Sequence, residues 1–454
     1  MVRGADTAER LLIVSGDGHA GARPETYRDY MDPEFRSAID DLELESVEWN
    51  RLTKYEELAR DDEFPGWNLS SRMKALDAEG VAAEVMHSGV QGAPVPFFAA
   101  SNKPRSPELQ WAGSRAYNRW LADWMVDSGH RILGVAATGP CLDINATLRE
   151  LEWAAEQGFV AAKLPQNILQ PELPPIYDRY YDPIWAACQD LGLRLSVHAG
   201  WGVQQGRFWE FAATFVRNVL GRDLNDLSAG GSEEVAARIT DAMAKSADSP
   251  MALDIAPRRA IWQLMVGGVF DRYPRLVTVV TELRADWLPA TLAVLDARCR
   301  EVPQPMELLP SEYWARNCFI TPSSIHQSEV EMRYDIGVDK MLFGSDCPHP
   351  EATYPQTRDW LRFTFREVPL EETRAILGDN AVRCYGLDRA KLEEVAARVG
   401  PTAGDLFDGG EVDSELIVDF DRRAGLLRSA EEVDTLTVRQ LLDEDLTATG
   451  VQLT

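Results

Sequence analysis

The sequence predicts an α/β protein: a (β/α)8 TIM barrel with insertions and an acidic C-terminal extension. Two observations point there. Short apolar, β-branched runs alternate with longer helical patterns, which builds a parallel sheet with its helices outside. Eight such strand candidates occur, the number that closes a barrel. An open doubly wound sheet is the rival reading. Against it, no GxGxxG or GxxxxGK[ST] follows the first strand candidate.

The elements follow in order. Leu11–Ser15 is the first strand candidate, opening LLIVSGDGH. A long connection runs from Gly18 to about Ser70, rich in aromatics and acids. Val81–Met86 is the second strand, followed by a helix over Pro107–Asp127. Ile132–Ala136 and Phe159–Leu164 are the third and fourth strands, with a helix over Asn145–Gln157 between them. After a helix over Asp182–Leu191 comes the fifth strand, Arg194–Val197. A second long connection, Ala199 to about Arg258, carries Trp201, Phe208, Trp209 and Phe211. A helix over Arg258–Asp271 leads to the sixth strand, Leu276–Thr281, and a helix over Asp286–Arg300 to the seventh, Asn317–Ile320. The last pair is a helix over His326–Asp335 and the strand Lys340–Phe343. Gly80, Gly158, Gly192 and Gly337 stand where a left-handed residue closes a helix. Both long connections leave the C-terminal ends of strands, where a barrel keeps its active site, so both read as lids.

Composition narrows the function. Apolar residues make up 45% and charged residues 26% of 454, which excludes disorder as the main state. No apolar run is long enough to span a membrane. Met1–Arg10 is polar with both charge signs, so a signal peptide is not expected. The net charge of −27 repels phosphate backbones and anionic lipid, which argues against nucleic acid and membrane partners. Six cysteines without a CxxC pair read as reduced thiols of a cytoplasmic protein. The barrel domain is expected over 1–388. The segment 389–454 changes character: from Asp388 onward 16 acidic residues face 7 basic ones. It reads as an appended tail packed on the barrel or on a second subunit of a homodimer, with partial disorder as the alternative.

Five of the six histidines, His19, His87, His198, His326 and His349, lie at or just past the C-terminal end of a predicted strand. In a barrel those ends converge on one rim, so the distribution marks a site. His130 precedes a strand and reads as a solvated turn. Asp17 and His19, two apart, share a strand face, although Asp-Gly-His alone also reads as a turn. His198, ending RLSVHAG, also suits a buried core histidine. Glu282 ends VTVVTE and Asp346 ends MLFGSD. A carboxylate after such an apolar run is costly unless paired or liganded. This mix of nitrogen and oxygen donors suits one divalent metal ion.

DGH at 17–19, HAG at 198–200 and FGSDCPHP at 343–350 resemble the amidohydrolase-related family, the branch of the amidohydrolase superfamily that includes aminocarboxymuconate-semialdehyde decarboxylase. GDNAVRCYGLD, 378–388, is similar to that family's closing helix. The resemblance spans about Leu11 to Asp388, and SDxPH at 345–349 is its most specific part. It implies a (β/α)8 barrel with a mononuclear metal, zinc or manganese, on Asp17, His19, His198 and Asp346, with Asp346 also the proton shuttle. Many relatives carry histidine after strand six, where this chain has Glu282. No carbamylated lysine of the two-metal kind is implied; Lys163, in strand four, reads as structural or substrate-side.

Asp346, His198 and Glu282 are therefore the expected catalytic residues. Glu282 is a further ligand, a contact to the metal's water, or an ion-pair partner of Arg284. Arg284, His326, His349 and His87 are candidates for binding a small-molecule substrate. Two chemistries stay open. One is hydrolysis of an amide, ester or related bond by activated water. The other is non-oxidative decarboxylation of an aromatic or unsaturated acid. Three carboxylates against one divalent ion favour hydrolysis, because a net negative shell tolerates a neutral carbonyl better than a second anion. A non-catalytic barrel that binds a partner through its acidic tail is the third reading.

Overall fold

The computed structural model describes residues 8–53, 56–89, 95–97, 105–165, 172–202, 251–302, 306–349, 351–407, 410–423 and 435–451. Seven parallel strands follow one another in chain order around the sheet: β1 Val14–Ala20, β2 Ala83–Ser88, β3 Ile132–Ala136, β4 Ala161–Lys163, β5 Arg194–His198, β6 Thr278–Thr281 and β7 Cys318–Thr321. The eighth position closes the ring without a regular strand. Met341 and Gly344 bridge Ile320 and Ser323 on the β7 side, and Cys347 bridges Gly18 on the β1 side. The expected strand Lys340–Phe343 is corrected accordingly. Its backbone is divided among several partners: Leu342 N donates to Ile320 O, Phe343 N to Ile376 O, and Phe343 O accepts from Gly16 N.

β1 and β2 run further than their apolar runs suggested. Leu11 N bonds Pro401 O instead of a neighbouring strand. The ladder continues through the polar SGDGH because buried partners satisfy it: Ser15 Oγ accepts from Ser345 N at 2.9 Å. Asp17, His19 and His87 therefore lie within strands, not past them. The helices Pro107–Asp127 and Asp182–Leu191 match expectation, and Gly80, Gly158 and Gly192 take left-handed φ of 80°, 86° and 74°. The expected helix Arg258–Asp271 is two, Met251–Val266 and Val269–Arg272, broken where Gly268 turns left-handed. The helix expected over His326–Asp335 also divides, at Met332.

Alternate strand residues fill the barrel. Val14, Ala83, Val85, Leu133, Val135, Ala161, Val279, Phe319 and Leu342 form one buried cluster with Ala381, Cys384 and Tyr385 of the closing helix Asn380–Tyr385. That end is apolar and sealed; polar side chains gather at the other. Past Asp388, helices Arg389–Val399, Ala403–Phe407, Ser414–Arg423 and Thr435–Ala448 bury Leu406, Phe420, Leu442 and Leu446. Asp445 accepts from Arg259 Nε, Trp262 Nε1 and Gln263 Nε2, all at 2.9 Å, which fixes the last helix to Met251–Val266. The lid candidates Phe208, Trp209 and Phe211 lie outside the described residues. Among the described residues no helix is long and apolar enough to cross a membrane. All six cysteines are free and buried.

Candidate metal centre

The site begins with the spacing in Asp17-Gly18-His19. A register shift between Ser15 and Gly18 lets both side chains turn into the barrel, where both are buried. Gly18 admits no side chain: a Cβ there would lie 2.3 Å from the Glu84 carboxyl and 2.7 Å from Arg72 Nη2. Those two residues form a fully buried ion pair, with Arg72 Nε to Glu84 Oε2 at 2.8 Å. Arg72 also donates to the carbonyls of His19 (3.1 Å) and Cys347 (2.8 Å), and Ser345 Oγ donates to Glu84 Oε1 (3.1 Å). One guanidinium thus ties β1, β2 and the 345–347 turn together behind the donors.

Asp17, His19, His198 and Glu282 each offer a ligand atom, and these atoms lie within 4.8 Å of one another; His19, Glu282, Asp346 and His349 do the same. His19 Nε2 stands 3.5 Å from Asp17 Oδ1, 3.2 Å from Glu282 Oε2 and 3.4 Å from Asp346 Oδ1. His198 Nε2 stands 3.5 Å from Asp17 Oδ1 and 3.1 Å from Glu282 Oε2. Glu282 and Asp346 both hold left-handed backbone, φ 59° and 58°. Such strain in non-glycine residues persists where the surroundings fix it, and it aims both carboxyls inward.

The imidazoles are oriented from behind. His19 Nδ1 faces Ser88 O at 3.2 Å, His198 Nδ1 faces Ala199 O at 3.1 Å, and His349 Nε2 faces Gly89 O at 3.1 Å. A carbonyl only accepts, so each of those nitrogens carries the proton. The opposite nitrogen of neutral His19 then presents a lone pair to carboxylate oxygens, and that of His198, whose proton Glu282 and Asp17 favour against burial, does so once a cation displaces the proton. Acceptors facing acceptors call for a cation between them, and a second-shell carbonyl behind each imidazole is the usual arrangement of metal-binding histidine. Asp17 Oδ1, His198 Nε2 and Asp346 Oδ2 are buried without a hydrogen-bond partner among the described residues. The donor set fits one divalent ion.

Without such an ion the site is electrostatically frustrated. Burial pushes Glu282 up to about 7, with His198 opposing and Asp17 reinforcing. Burial likewise raises Asp346 well above the carboxylate range against the pull of His349, whose Nδ1 lies 2.9 Å away. Burial opposes ionisation of Asp17 too, but His198, His87 and Ser323 outweigh it and hold that carboxyl low. Burial and three neighbouring imidazoles hold His19 well below its ordinary value. A divalent cation would discharge the carboxyl protons.

The structure thus brings together Asp17, His19, His198, Glu282, Asp346 and His349. His87 joins them by its ring, 4.7 Å from that of His198. Arg284 does not pair with Glu282, and that expectation is corrected: its Nη2 reaches Asp286 Oδ2 at 2.5 Å. The strand ends at Thr281 and Glu282 turns left-handed, so the two-residue alternation that would align 282 with 284 no longer applies. His326 stands apart from the donor clusters. Its Nε2 lies 2.9 Å from Asp421 of the C-terminal extension, and its ring packs on Trp360. Sequence reasoning missed Arg72, Glu84 and Ser88. Glu84, a carboxylate inside the apolar AEVM of β2, carried the same signal that exposed Glu282.

A parallel barrel with a histidine–carboxylate donor cluster at the C-terminal ends of its strands defines the class: a barrel enzyme with a candidate metal centre. The chain belongs to the amidohydrolase family, whose sequence profile matches residues 96–387. No curated protein matches the sequence. Among solved structures, the chain is similar to 5-carboxyvanillate decarboxylase from Sphingomonas paucimobilis, with 18% identity, 83% of this chain and 100% of that chain covered, and a TM-score of 0.56. It is similar to an amidohydrolase from Mycobacterium avium subsp. paratuberculosis K-10 (18% identity, 84% and 100% covered, TM-score 0.58). It is also similar to a dihydroxybenzoic acid decarboxylase from Polaromonas sp. JS666 with bound manganese and the inhibitor 2-nitroresorcinol (20% identity, 84% and 99% covered, TM-score 0.56). At these identities the likeness shows the fold alone.

Proposed function

We propose that this chain is a divalent-metal-dependent decarboxylase of a small aromatic or unsaturated carboxylic acid. The observation that carries the reading is the Asp346–His349 pair: a buried carboxyl 2.9 Å from an imidazole anchored on Gly89 O, set against the donor cluster. Two acceptors at that distance share a proton, which makes the pair an acid with a relay behind it. Asp17, His19, His198 and Glu282 would hold the ion, manganese or zinc, with Asp346 also in reach. The ion supplies Lewis-acid stabilisation of negative charge developing on a substrate oxygen. Asp346 protonates the carbon that bears the carboxylate. The new C–H bond draws on the π system; the carbon–carbon bond then breaks, its electron pair restores that π system, and CO2 leaves. His349, taking up a proton from solvent at Nδ1, then passes it to Asp346, while Ser88 O and Ala199 O keep His19 and His198 in the required tautomer.

The decarboxylases of like fold, one with manganese, support this reading over hydrolysis. Hydrolysis of a neutral amide or ester is the second reading, favoured by the crowding of Asp17, Glu282 and Asp346. Metal-loaded protein incubated with hydroxyaryl carboxylates, amides and lactones separates the two. We expect CO2 release that disappears in Asp346→Asn. Metal-dependent hydrolysis with no CO2 from any acid would overturn the decarboxylase.

A further inference from the structure

We propose that Lys163, with Ser88 and His87 beside it, is the anion-binding side of the site and holds the substrate's carboxylate; this deepens the decarboxylase reading and rests on it. Lys163 ends β4 two residues after Ala161, whose side chain belongs to the barrel interior. Strand alternation therefore turns Lys163 inward, at the same end as the donor cluster. Its Nζ donates to Ser88 Oγ, and the carbonyl of the same Ser88 faces His19 Nδ1. One residue thus links the lysine to a donor histidine.

Lys163 forms no ion pair with a carboxylate among the described residues, although lysine inside a protein is normally paired. Burial brings its amine down only to about 8, so it stays cationic at neutral pH. Among the described residues its hydrogen-bond partner is a neutral hydroxyl, that of Ser88. His87, immediately before Ser88, has both ring nitrogens buried without a hydrogen-bond partner. Trp201 donates its indole N–H to Leu164 O and Pro165 O, both at 3.2 Å, which sets an aromatic ring at the end of β4. An uncompensated cation, an unpartnered imidazole and an aromatic wall suit an aryl carboxylate whose neighbouring oxygen reaches the donor cluster.

The test is calorimetric titration of the manganese-loaded full-length protein with 2-hydroxybenzoate and with 2-hydroxybenzamide, which has the same ring and a neutral head. The wild type should prefer the acid. Lys163→Met should weaken the acid at least about tenfold and the amide less than about twofold, as loss of a charge-assisted hydrogen bond predicts. Metal content should not change. Lys163→Gln, which keeps a donor for Ser88, should behave like Lys163→Met, and Lys163→Arg should retain most of the acid affinity. Equal weakening of both ligands, unchanged acid affinity, or a wild type with no preference for the acid would overturn the anchor. Loss of metal from the variants would also overturn it, by assigning Lys163 to the support of His19. CO2 release is read separately. Lysine-dependent acid binding without CO2 release keeps the anchor and removes the decarboxylase; CO2 release indifferent to Lys163 does the reverse.

Discussion

Replacing Arg72 by methionine keeps the length of the side chain and removes every donor. Five contacts go with it: the ion pair to Glu84, the carbonyls of His19 and Cys347, a longer contact to Pro65 O and a weak one to Met86 Sδ. Glu84 keeps only Ser345 Oγ, at 3.1 Å. Removing one partner of a buried pair costs ~3–5 kcal/mol, because the other charge is stranded. The Cys347 carbonyl keeps its bond from His19 N at 2.7 Å, so the stranded carboxyl of Glu84 dominates the cost. Glu84 can limit the cost by taking up a proton. Burial already raises it and Arg72 is the main opposing group, so without Arg72 it rises further. A raised carboxyl binds its proton more tightly folded than unfolded, so stability falls as pH climbs from the ordinary glutamate range through neutrality. Urea unfolding followed by tryptophan fluorescence at pH 5.5 and 7.5 (assay conditions on the order of the usual stability window) should show a larger deficit at the higher pH. In Arg72→Met/Glu84→Leu much of the loss should return, because an apolar replacement of a buried pair is often near neutral. A deficit below about 1 kcal/mol, or additive single-mutant effects, would refute the reasoning.

His198→Ala and Asp346→Asn should each abolish turnover with an unchanged circular dichroism spectrum; the first should also lose metal while the second keeps most of it. Glu282→Gln should weaken metal binding, and Arg284→Ala should leave it unaltered, since Arg284 pairs with Asp286; equal losses on titration with a metallochromic competitor would count against the ligand role of Glu282. Metal affinity should fall as pH drops through about 7, where protons compete for Glu282, and a flat profile from pH 8 to 6 (roughly one unit either side) would contradict this. Asp445→Ala should strand the donors of Arg259, Trp262 and Gln263 and cost about 2–4 kcal/mol, with limited proteolysis freeing the last helix first.

The strands that bury both faces were readable because their β-branched runs are continuous, and β3 falls where its run does. The donors were readable because charged groups at the ends of such runs are expensive, which exposed Glu282 and Asp346. The eighth stave was not, because Met341–Phe343 has a strand's composition while its partners are divided among β7, β1 and the segment around Ile376. Arg72 was hidden for another reason. It sits in the helix Leu69–Glu79, and only the tertiary approach of that helix to β2 sets it against Glu84. Arg284 misled because alternation was carried one step past the end of β6.

One cation at the convergence of Asp17, His19, His198 and Glu282 is the centre of the proposed chemistry. Elemental analysis of protein purified without chelator, beside His198→Ala, tests that directly. We predict about one manganese or zinc per chain in the wild type, as four converging donors imply, and much less in the variant. A metal-free wild type that turns over substrate at full rate in the presence of a strong chelator would contradict the account.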